Sequence, residues 1–359
     1  MTETREFTSI PILDLSFAAD ISTKRDFVDQ LRHALINVGF LYIENHALPT
    51  SLISTIISIL HVIFSLSREE KKQVGLINSP HFLGYSGGGT EMTAGKPDRR
   101  EQFEFATELT ATWNASNQLP LYERLRGPNQ WPPVPEGSTI NFRELITAYI
   151  EAITSLSSRF LHLVAEALSL PPGTLHEFLS DQHRLRLVRY PPAPQGSSQG
   201  VGPRKDSSGW FTFLLQASDV KGLQVLNASH EWIDVPPIPG TFVVNIGQAF
   251  EVVTHGLCKA TIHRVVMADE SKERFSVPFF QGVRRDLTKS QALGLRQYFQ
   301  REEGQGDANK GYDGIDSPFL KGKYDTWGES QLRTKIRSHR DVGRKWYPDV
   351  FDKYVEDDG

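Results

Sequence analysis

The chain has 359 residues, of which 39% are hydrophobic and 23% charged, and its net charge is −4. That balance suits a globular protein and gives no electrostatic reason to expect nucleic acid or an anionic membrane surface as a partner. The single cysteine, Cys258, excludes an internal disulfide framework and a cysteine-based zinc cluster.

The first six residues carry no apolar h-region and no later run approaches membrane-spanning length, so a cytoplasmic location is expected. Residues 10–15 read as a short strand, and residues 24–37 as an amphipathic helix with Phe27, Leu31, Ala34 and Leu35 on one face. Residues 39–43 are a buried-strand candidate ending at Asn45-His46. Residues 52–64 read as a strongly apolar helix, and Ser67-Arg-Glu-Glu70 has the capping-box pattern that opens another. The charges at Glu69, Glu70, Lys71 and Lys72 read as a solvated face. The glycine-rich stretch 84–89 is expected to be a mobile loop, with Tyr85 as part of a lid over a substrate entry. It lacks the strand-loop-helix frame and the Lys-Ser/Thr ending of a phosphate loop. Residues 127–137 are punctuated by Pro and Gly and read as a connection, and a long helix follows over about 141–168.

From Arg184 the period changes. Leu185 and Leu187, and residues 211–215, 223–226, 232–235, 242–246, 260–268 and 275–280, are strand-like. The separators at 221–222, 227–229 and 236–240 carry turn chemistry. Short strands at this spacing predict a jelly-roll or barrel. Phe211, Phe213, Phe279 and Phe280 are expected in its core. After Asp286 the chain turns helical and polar, with residues 333–344 read as a solvated face. The simplest organisation is a single α+β domain. It has a mainly helical region over 1–180, a β-core over 181–285 and a helical extension over 286–359.

The residues that carry chemistry lie in the β-core. Asp206 and His263 are the right types for two ligands of a 2-His-1-carboxylate iron site. A third ligand on the same face of an extended segment would lie two residues before Asp206. That position holds Arg204, whose guanidinium is permanently charged and offers no lone pair. Arg274 and Ser276 alternate onto one face of a strand, and a buried arginine needs an anionic partner, for which an Asp or Glu is the bland candidate.

Together these markers resemble the isopenicillin N synthase-like Fe(II)/2-oxoglutarate-dependent dioxygenases, and most of all their fungal secondary-metabolite members. The resemblance runs through residues 10–14, 39–46, 98–105, Tyr190-Pro-Pro192, 222–225, Trp232, 239–241, 244–247, His263-Arg-Val265 and Arg274 with Ser276. It implies a double-stranded β-helix (jelly-roll) core flanked by helices. It also implies iron held by a His-x-Asp pair and a distal His, and a 2-oxoglutarate carboxylate held by an Arg-x-Ser pair and an upstream Tyr. By position, Asp206 and His263 are the surviving metal ligands, while Arg274, Ser276 and Tyr190 bind the cosubstrate. Arg204 stands where the first His belongs; Gln248 and Ala47 are smaller departures.

A unit charge at roughly 4 Å and an effective dielectric near 20 repels a divalent ion by about 8 kcal/mol, or roughly six powers of ten in affinity. His255 and His230 are candidates for a replacement ligand, but neither has a spacing that places it. Arg204 is therefore expected either to bridge to Asp206 across an empty site or to replace the metal as the electrophile toward a carbonyl or carboxylate. His263, with Asp206, is a candidate general acid or base; its bland reading is a satisfied core histidine. The expected function is a secondary-metabolite tailoring enzyme. It would convert a hydrophobic, carbonyl-bearing small molecule without metal or oxidant, by isomerisation, elimination or pericyclic cyclisation. The alternatives are retained Fe(II)/2-oxoglutarate oxidation and a non-catalytic partner of an active homologue.

Overall fold

A computed structural model describes residues 6–89, 91–93, 96–134, 140–192, 199–207, 209–267, 271–299, 315–321 and 324–356. The first strand, β1 (Ile12–Asp14), leads into helix α1 (Ile21–His33), whose N-terminal amide at Ser22 is capped by the Asp20 carboxylate. A π-helical turn, Ala34–Val38, ends at Gly39 with φ 74°, a conformation that favours glycine. A Cβ there would also lie 2.4 Å from the Lys259 carbonyl oxygen. Strand β2 (Phe40–Glu44) follows, and then helix α2 (Thr50–Phe64) and helix α3 (Arg68–Gln73), which opens on the Ser67–Glu70 capping box. Helix α4 (Phe142–Ala167) starts at Asn141, whose side chain accepts from the Glu144 amide. Its buried stripe, Ile146, Ile150, Ile153, Phe160, Leu161 and Val164, follows helical spacing. Each such side chain contributes about 1.5–3 kcal/mol by burial.

Between α3 and α4 lie β3 (Gly84–Ser86), β4 (Met92–Thr93), β5 (Lys96–Pro97) and β6 (Glu101–Ala106). The second half supplies β7 (Arg184–Tyr190), β8 (Gln199–Arg204), β9 (Phe211–Gln216), β10 (Leu223–Leu226), β11 (Trp232–Asp234), β12 (Phe242–Ile246), β13 (His263–Val266) and β14 (Arg274–Phe280). They form an eight-stranded sheet in the order β1-β2-β12-β9-β14-β7-β6-β3 and a four-stranded sheet in the order β11-β10-β13-β8. From β7 onward the chain passes back and forth between the two sheets, apart from the β10–β11 hairpin that stays in the small one, which is a jelly-roll.

Strand periodicity decides what each face carries. On the large sheet Leu185, Leu187, Phe211, Phe213, Phe242, Val244, Phe275, Val277 and Phe279 pack in one core with α2 and α4. The alternate residues face the small sheet, where Val188 and Tyr190 pack with Val201, Leu223, Val225 and Val265. The same alternation aims Thr212, Leu214, Asn245, Arg274, Ser276 and Phe280 into a cavity between the sheets. The chemistry of the site is thus the second face of strands whose first face is the hydrophobic core.

Several expectations are corrected. Residues 84–86 form an edge strand, because Tyr85 pairs with Phe103 of β6 and its amide donates to the Val74 carbonyl. Tyr85 is not a lid: its hydroxyl donates to Glu101 at 2.7 Å and its ring packs on Phe103. The predicted 260–268 strand is confined to β13, with residue 268 outside the described residues. The connection over 127–134 is irregular, and 135–137 lie outside the described residues. Strand β8 escapes the periodicity reading because it is rich in Gly and Pro, and β4 and β5 because they are only two residues each, whereas β6 does alternate, with Phe103 and Phe105 on one face and Gln102 and Glu104 on the other.

Short helices complete the chain: α5 (Gln248–Val253), α6 (Lys289–Ala292), α7 (Arg296–Phe299), α8 (Trp327–Ser338), α9 (Arg340–Trp346) and α10 (Pro348–Glu356). Residues 333–344 are not simply a solvated face. Arg340 and Arg344 are exposed, but Arg333, Lys335 and His339 are buried. Phe211, Phe213 and Phe279 are fully buried, whereas Phe280 is only partly buried and lines cavities. No described helix is long and apolar enough to cross a membrane.

Gly247 joins β12 to α5 beside the Asp206 loop, and its amide donates to the Trp210 carbonyl. A Cβ there would lie 2.0 Å from the Gly209 carbonyl oxygen. Backbone would have to separate from backbone, so Gly247→Ala should cost at least about 1–3 kcal/mol. Urea denaturation should show a lowered midpoint; an unchanged one would contradict this packing.

Candidate active site

Arg204 ends β8 directly opposite His263 of β13. Two residues later, the Asp206 carbonyl accepts from the Gln248 amide at 2.8 Å, which fixes this turn against α5. Asp206 Oδ2 accepts from the Thr212 hydroxyl at 2.7 Å and from Asn245 Nδ2 at 2.7 Å. Its other oxygen lies 3.5 Å from His263 Nε2. The Nδ1 of His263 lies 3.2 Å from the Thr261 carbonyl, an arrangement that suits a proton on Nδ1 and leaves Nε2 facing the carboxylate. The imidazole edge packs on Phe40 at a ring distance of 5.5 Å. Burial opposes ionisation of Asp206, but His263 when it carries a proton, Arg204 and the Asn245 amide outweigh it and hold the carboxyl below the usual range.

Arg204 lines the same cavity, with its side chain 26% exposed. Its Nη1 lies 3.7 Å from Asp98 Oδ2, so the ion pair runs to Asp98 rather than to Asp206 as the sequence suggested. Burial and Arg100 push its pKa down, against the pull of Glu91, Asp98 and Asp206. A guanidinium remains charged under these conditions. Asp98 is shared with Arg100 at 3.2 Å, and Arg100 reaches Glu91 at 2.6 Å.

The opposite wall holds a second cation. Arg274 is 1% exposed, and among the described residues no Asp or Glu pairs with it as expected. Its Nη2 donates to the Gln216 side-chain oxygen at 3.2 Å, while Nε and Nη1 lack a hydrogen-bond acceptor. The guanidinium sits 5.1 Å from the centre of the Tyr190 ring, and Ser276 is buried beside it on the same face of β14. Burial depresses the pKa of Arg274, and Tyr190 offsets this only in part. Unused guanidinium donors next to a serine hydroxyl fit a carboxylate from a ligand.

Iron fits less well. Among the described residues no group of three His, Cys, Asp or Glu side chains could hold a metal ion. His255 ends α5, where its surroundings include Leu293 and Arg296, and His230 lies in an exposed turn beside a different groove. Neither supplies the missing ligand. Asp206 and His263 would face a metal with a guanidinium in the third position, so the donor set matches a 2-oxoglutarate carboxylate but not a facial iron triad.

The cavity, of roughly 50 Å³ and open to solvent on one side, brings together Arg204, Asp206, His263, Tyr190, Arg274 and Ser276. All six residues singled out from the sequence therefore converge. The sequence reading assigned no role to Thr212 or Asn245, which fix the Asp206 carboxylate. Their signal was available: both occupy inward positions of otherwise apolar strands.

A family profile described as the N-terminal part of the non-haem dioxygenase in morphine synthesis matches residues 10–134, and the 2OG-Fe(II) oxygenase superfamily profile matches residues 181–283. The 2-oxoglutarate-dependent dioxygenase frbJ of Dothideomycetidae sp. is 42% identical over 355 residues, covering 96% of this chain and 94% of its own length. A homoarginine-6-hydroxylase of Glycine max is 33% identical over 296 residues, covering 77% of this chain and 86% of its own. In structure, a full-length Neurospora crassa protein in complex with alpha-KG superposes with a TM-score of 0.70 at 20% identity, over 94% of this chain and 99% of that one. The fold and the matched sequence define a non-haem oxygenase scaffold. The chain belongs to the 2-oxoglutarate/Fe(II)-dependent oxygenase superfamily.

Replacing Arg274 by a neutral side chain of similar length removes a buried charge whose donors are partly unused. Arg274→Met should therefore raise or preserve the ligand-free melting temperature while abolishing the stabilisation given by added 2-oxoglutarate. Differential scanning calorimetry with and without 2-oxoglutarate reads both effects. A variant that still responds to 2-oxoglutarate would place the carboxylate elsewhere.

Proposed function

We propose that this protein is a small-molecule enzyme in which Arg204 takes the place of the metal. It converts a hydrophobic, carbonyl-bearing substrate without oxidation, by isomerisation, elimination or pericyclic cyclisation. The observation that carries this reading is the juxtaposition of Arg204 with the Asp206–His263 pair in one half-buried cavity. In this reading Arg204 occupies the position of the family's first histidine, and its fork of N–H donors meets the substrate carbonyl oxygen. Negative charge developing on that oxygen is stabilised in a cavity largely screened from water, where such contacts are strongest. For an isomerisation, His263 Nε2 removes a proton from the carbon next to the carbonyl, and electron density moves onto the oxygen facing Arg204. The same imidazole returns the proton at another carbon, so atoms and electrons balance without a co-reactant. Asp206, held ionised and fixed by Thr212 and Asn245, stabilises the imidazolium between the two transfers. A cyclisation needs only the oxygen contact and the orientation imposed by the walls, which can lower a barrier by several kcal/mol. Arg274, Ser276 and Tyr190 anchor a carboxylate, either of the substrate or of bound 2-oxoglutarate.

The second reading keeps the redox chemistry for which the superfamily is named. It is favoured by the open donors of Arg274 and by relatives named as 2-oxoglutarate-dependent dioxygenases. It requires an iron site that the residues around Asp206 do not complete. Metabolite profiling of a strain lacking the gene supplies the substrate, and turnover is then measured anaerobically with excess chelator. Undiminished turnover is expected; activity that disappears and returns only with Fe(II), 2-oxoglutarate and oxygen would establish the second reading.

Arg204→His separates the roles further. It removes the repelling charge and supplies a neutral nitrogen ligand, so Fe(II) affinity should rise by several orders of magnitude while native turnover falls. Iron stoichiometry, succinate and native product are measured on one preparation. Gained iron with unchanged native turnover would show that Arg204 is a vestige.

A further inference from the structure

Three cations converge on a single buried carboxylate beside a second cavity. Glu104 faces inward from β6, directly across the strand pair from Arg186 of β7. Its Oε1 accepts from Arg184 Nη1 at 2.6 Å and from Lys335 Nζ at 2.5 Å, and its Oε2 from Arg186 Nε at 3.0 Å. Arg184 is fixed in addition by the carbonyls of His81, Phe82 and Leu125. Arg186 has only a 3.7 Å approach to Glu91, which Arg100 already engages at 2.6 Å. One carboxylate thus serves two arginines and a lysine in a place largely removed from water. These groups line a small cavity of roughly 60 Å³ that opens to solvent, together with Arg285 and Gln331. Arg285 is balanced separately by Glu123 at 3.1 Å and Asp181 at 3.8 Å.

Lys335 is the least satisfied member. An ammonium carries three donors, and the one acceptor seen for Lys335 among the described residues is Glu104. Burial, together with Arg184 and Arg186, drives its pKa down to about 7 against the pull of Glu104. His339, one turn further along the helix, is pushed to about 4 by burial, so it adds no charge at neutral pH. Crowded cations next to an open space suit an anion beyond the one carboxylate that the described residues place among them. The cavity also adjoins the reaction site. Phe280 walls both spaces, with the Arg186 guanidinium 5.4 Å from its ring centre. Gln331 Nε2 donates to the Ser207 carbonyl at 3.0 Å, next to Asp206.

We propose that this second cavity seats an acidic group of the substrate, a carboxylate or phosphate, which Lys335 and Arg186 bind at the end remote from Asp206 and His263. The apolar body of the substrate runs past Phe280. The inference rests on placing the reaction in the Asp206–His263 cavity, but it does not depend on whether that reaction is oxidative.

The test measures binding to the full chain by calorimetry, using 4-phenylbutyrate, phenyl phosphate, neutral 4-phenylbutyramide and 2-oxoglutarate as probes. Lys335→Met leaves Glu104 with two arginines, so its ligand-free melting temperature should equal or exceed that of the unmodified protein. It should bind whichever acidic probe the unmodified protein takes at least about tenfold more weakly, as the loss of a charge-assisted contact requires. Its affinity for 2-oxoglutarate should be unchanged. Arg274→Met should show the reverse pattern, and the neutral amide should not bind. The preferred acid tells carboxylate from phosphate. Failure of both acidic probes to bind the unmodified protein would overturn the proposal, as would acid binding that survives Lys335→Met or is lost in Arg274→Met. A measurement without variants is the pH dependence of phenylbutyrate affinity, which should fall between about pH 6 and pH 9 as Lys335 loses its proton. The groups acting on Lys335 are Glu104, whose carboxyl is held well below the usual range by its cations, His339, which burial keeps neutral, and the guanidiniums of Arg184 and Arg186, which stay charged; a flat profile would count against Lys335. Turnover enters none of these readouts, so a failure of the non-oxidative reading would leave them intact, and the converse holds too.

Discussion

A guanidinium placed opposite His263 inside the jelly-roll is the constraint on which the polar architecture depends. Arg204 cannot lose its charge, and the cavity cannot leave that charge without counterions. The chain answers with alternating ion pairs. Arg204 approaches Asp98, Asp98 meets Arg100, Arg100 meets Glu91, Glu91 lies near Arg186, and Arg186 shares Glu104 with Arg184 and Lys335. The series runs from β8 across β6 and β7 to α8, so the C-terminal helices are tied electrostatically to the site. Such buried networks specify geometry more than they add stability, because desolvation cancels much of the Coulomb attraction.

The two ends of the candidate site differ in chemistry. The Arg274 end keeps open donors, a neighbouring serine and a tyrosine face, all suited to a carboxylate. The Asp206 end keeps an ionised carboxylate and an imidazole 3.5 Å apart but places a cation beside them. On the proposed reading, the Asp206 end presents N–H donors toward a ligand oxygen where the superfamily chemistry would need a divalent ion. The shape of the cavity persists because it is set by the apolar faces of β7, β9, β12 and β14, which pack on the helices regardless of what their inward residues do.

Strand periodicity made much of this legible. Arg274 and Ser276 share one face of β14 because Phe275, Val277 and Phe279 fill the other, and that alternation can be read directly from the sequence. The pairing of Arg204 with His263 required the family resemblance, since 59 residues separate them and a β8 containing Gly200, Gly202 and Pro203 shows no strand period. The burial of Lys335 is hidden from local reading because it comes from a carboxylate on β6 far away in sequence, and a Lys among Arg residues on a helix has the local pattern of a wet surface. Tyr85 is hidden for a related reason, since neighbouring glycines signal mobility. Its strand is held by edge pairing to β6, a long-range contact that composition does not report. The inward polar positions of β6 are open to view: Gln102 and Glu104 alternate with Phe103 and Phe105, and Glu104 is in register with Arg186.

On the proposed reading, the Arg204 guanidinium and a metal ion compete for one place. The most direct measurement is the equilibrium Fe(II) content of the unmodified full-length protein, determined anaerobically by metal analysis across a range of free Fe(II), with and without 2-oxoglutarate. No stoichiometric iron is expected up to millimolar Fe(II), even when 2-oxoglutarate occupies the Arg274 end. One equivalent of iron bound at micromolar Fe(II) would contradict that reading and would mean that Arg204 swings aside to leave a working metal site.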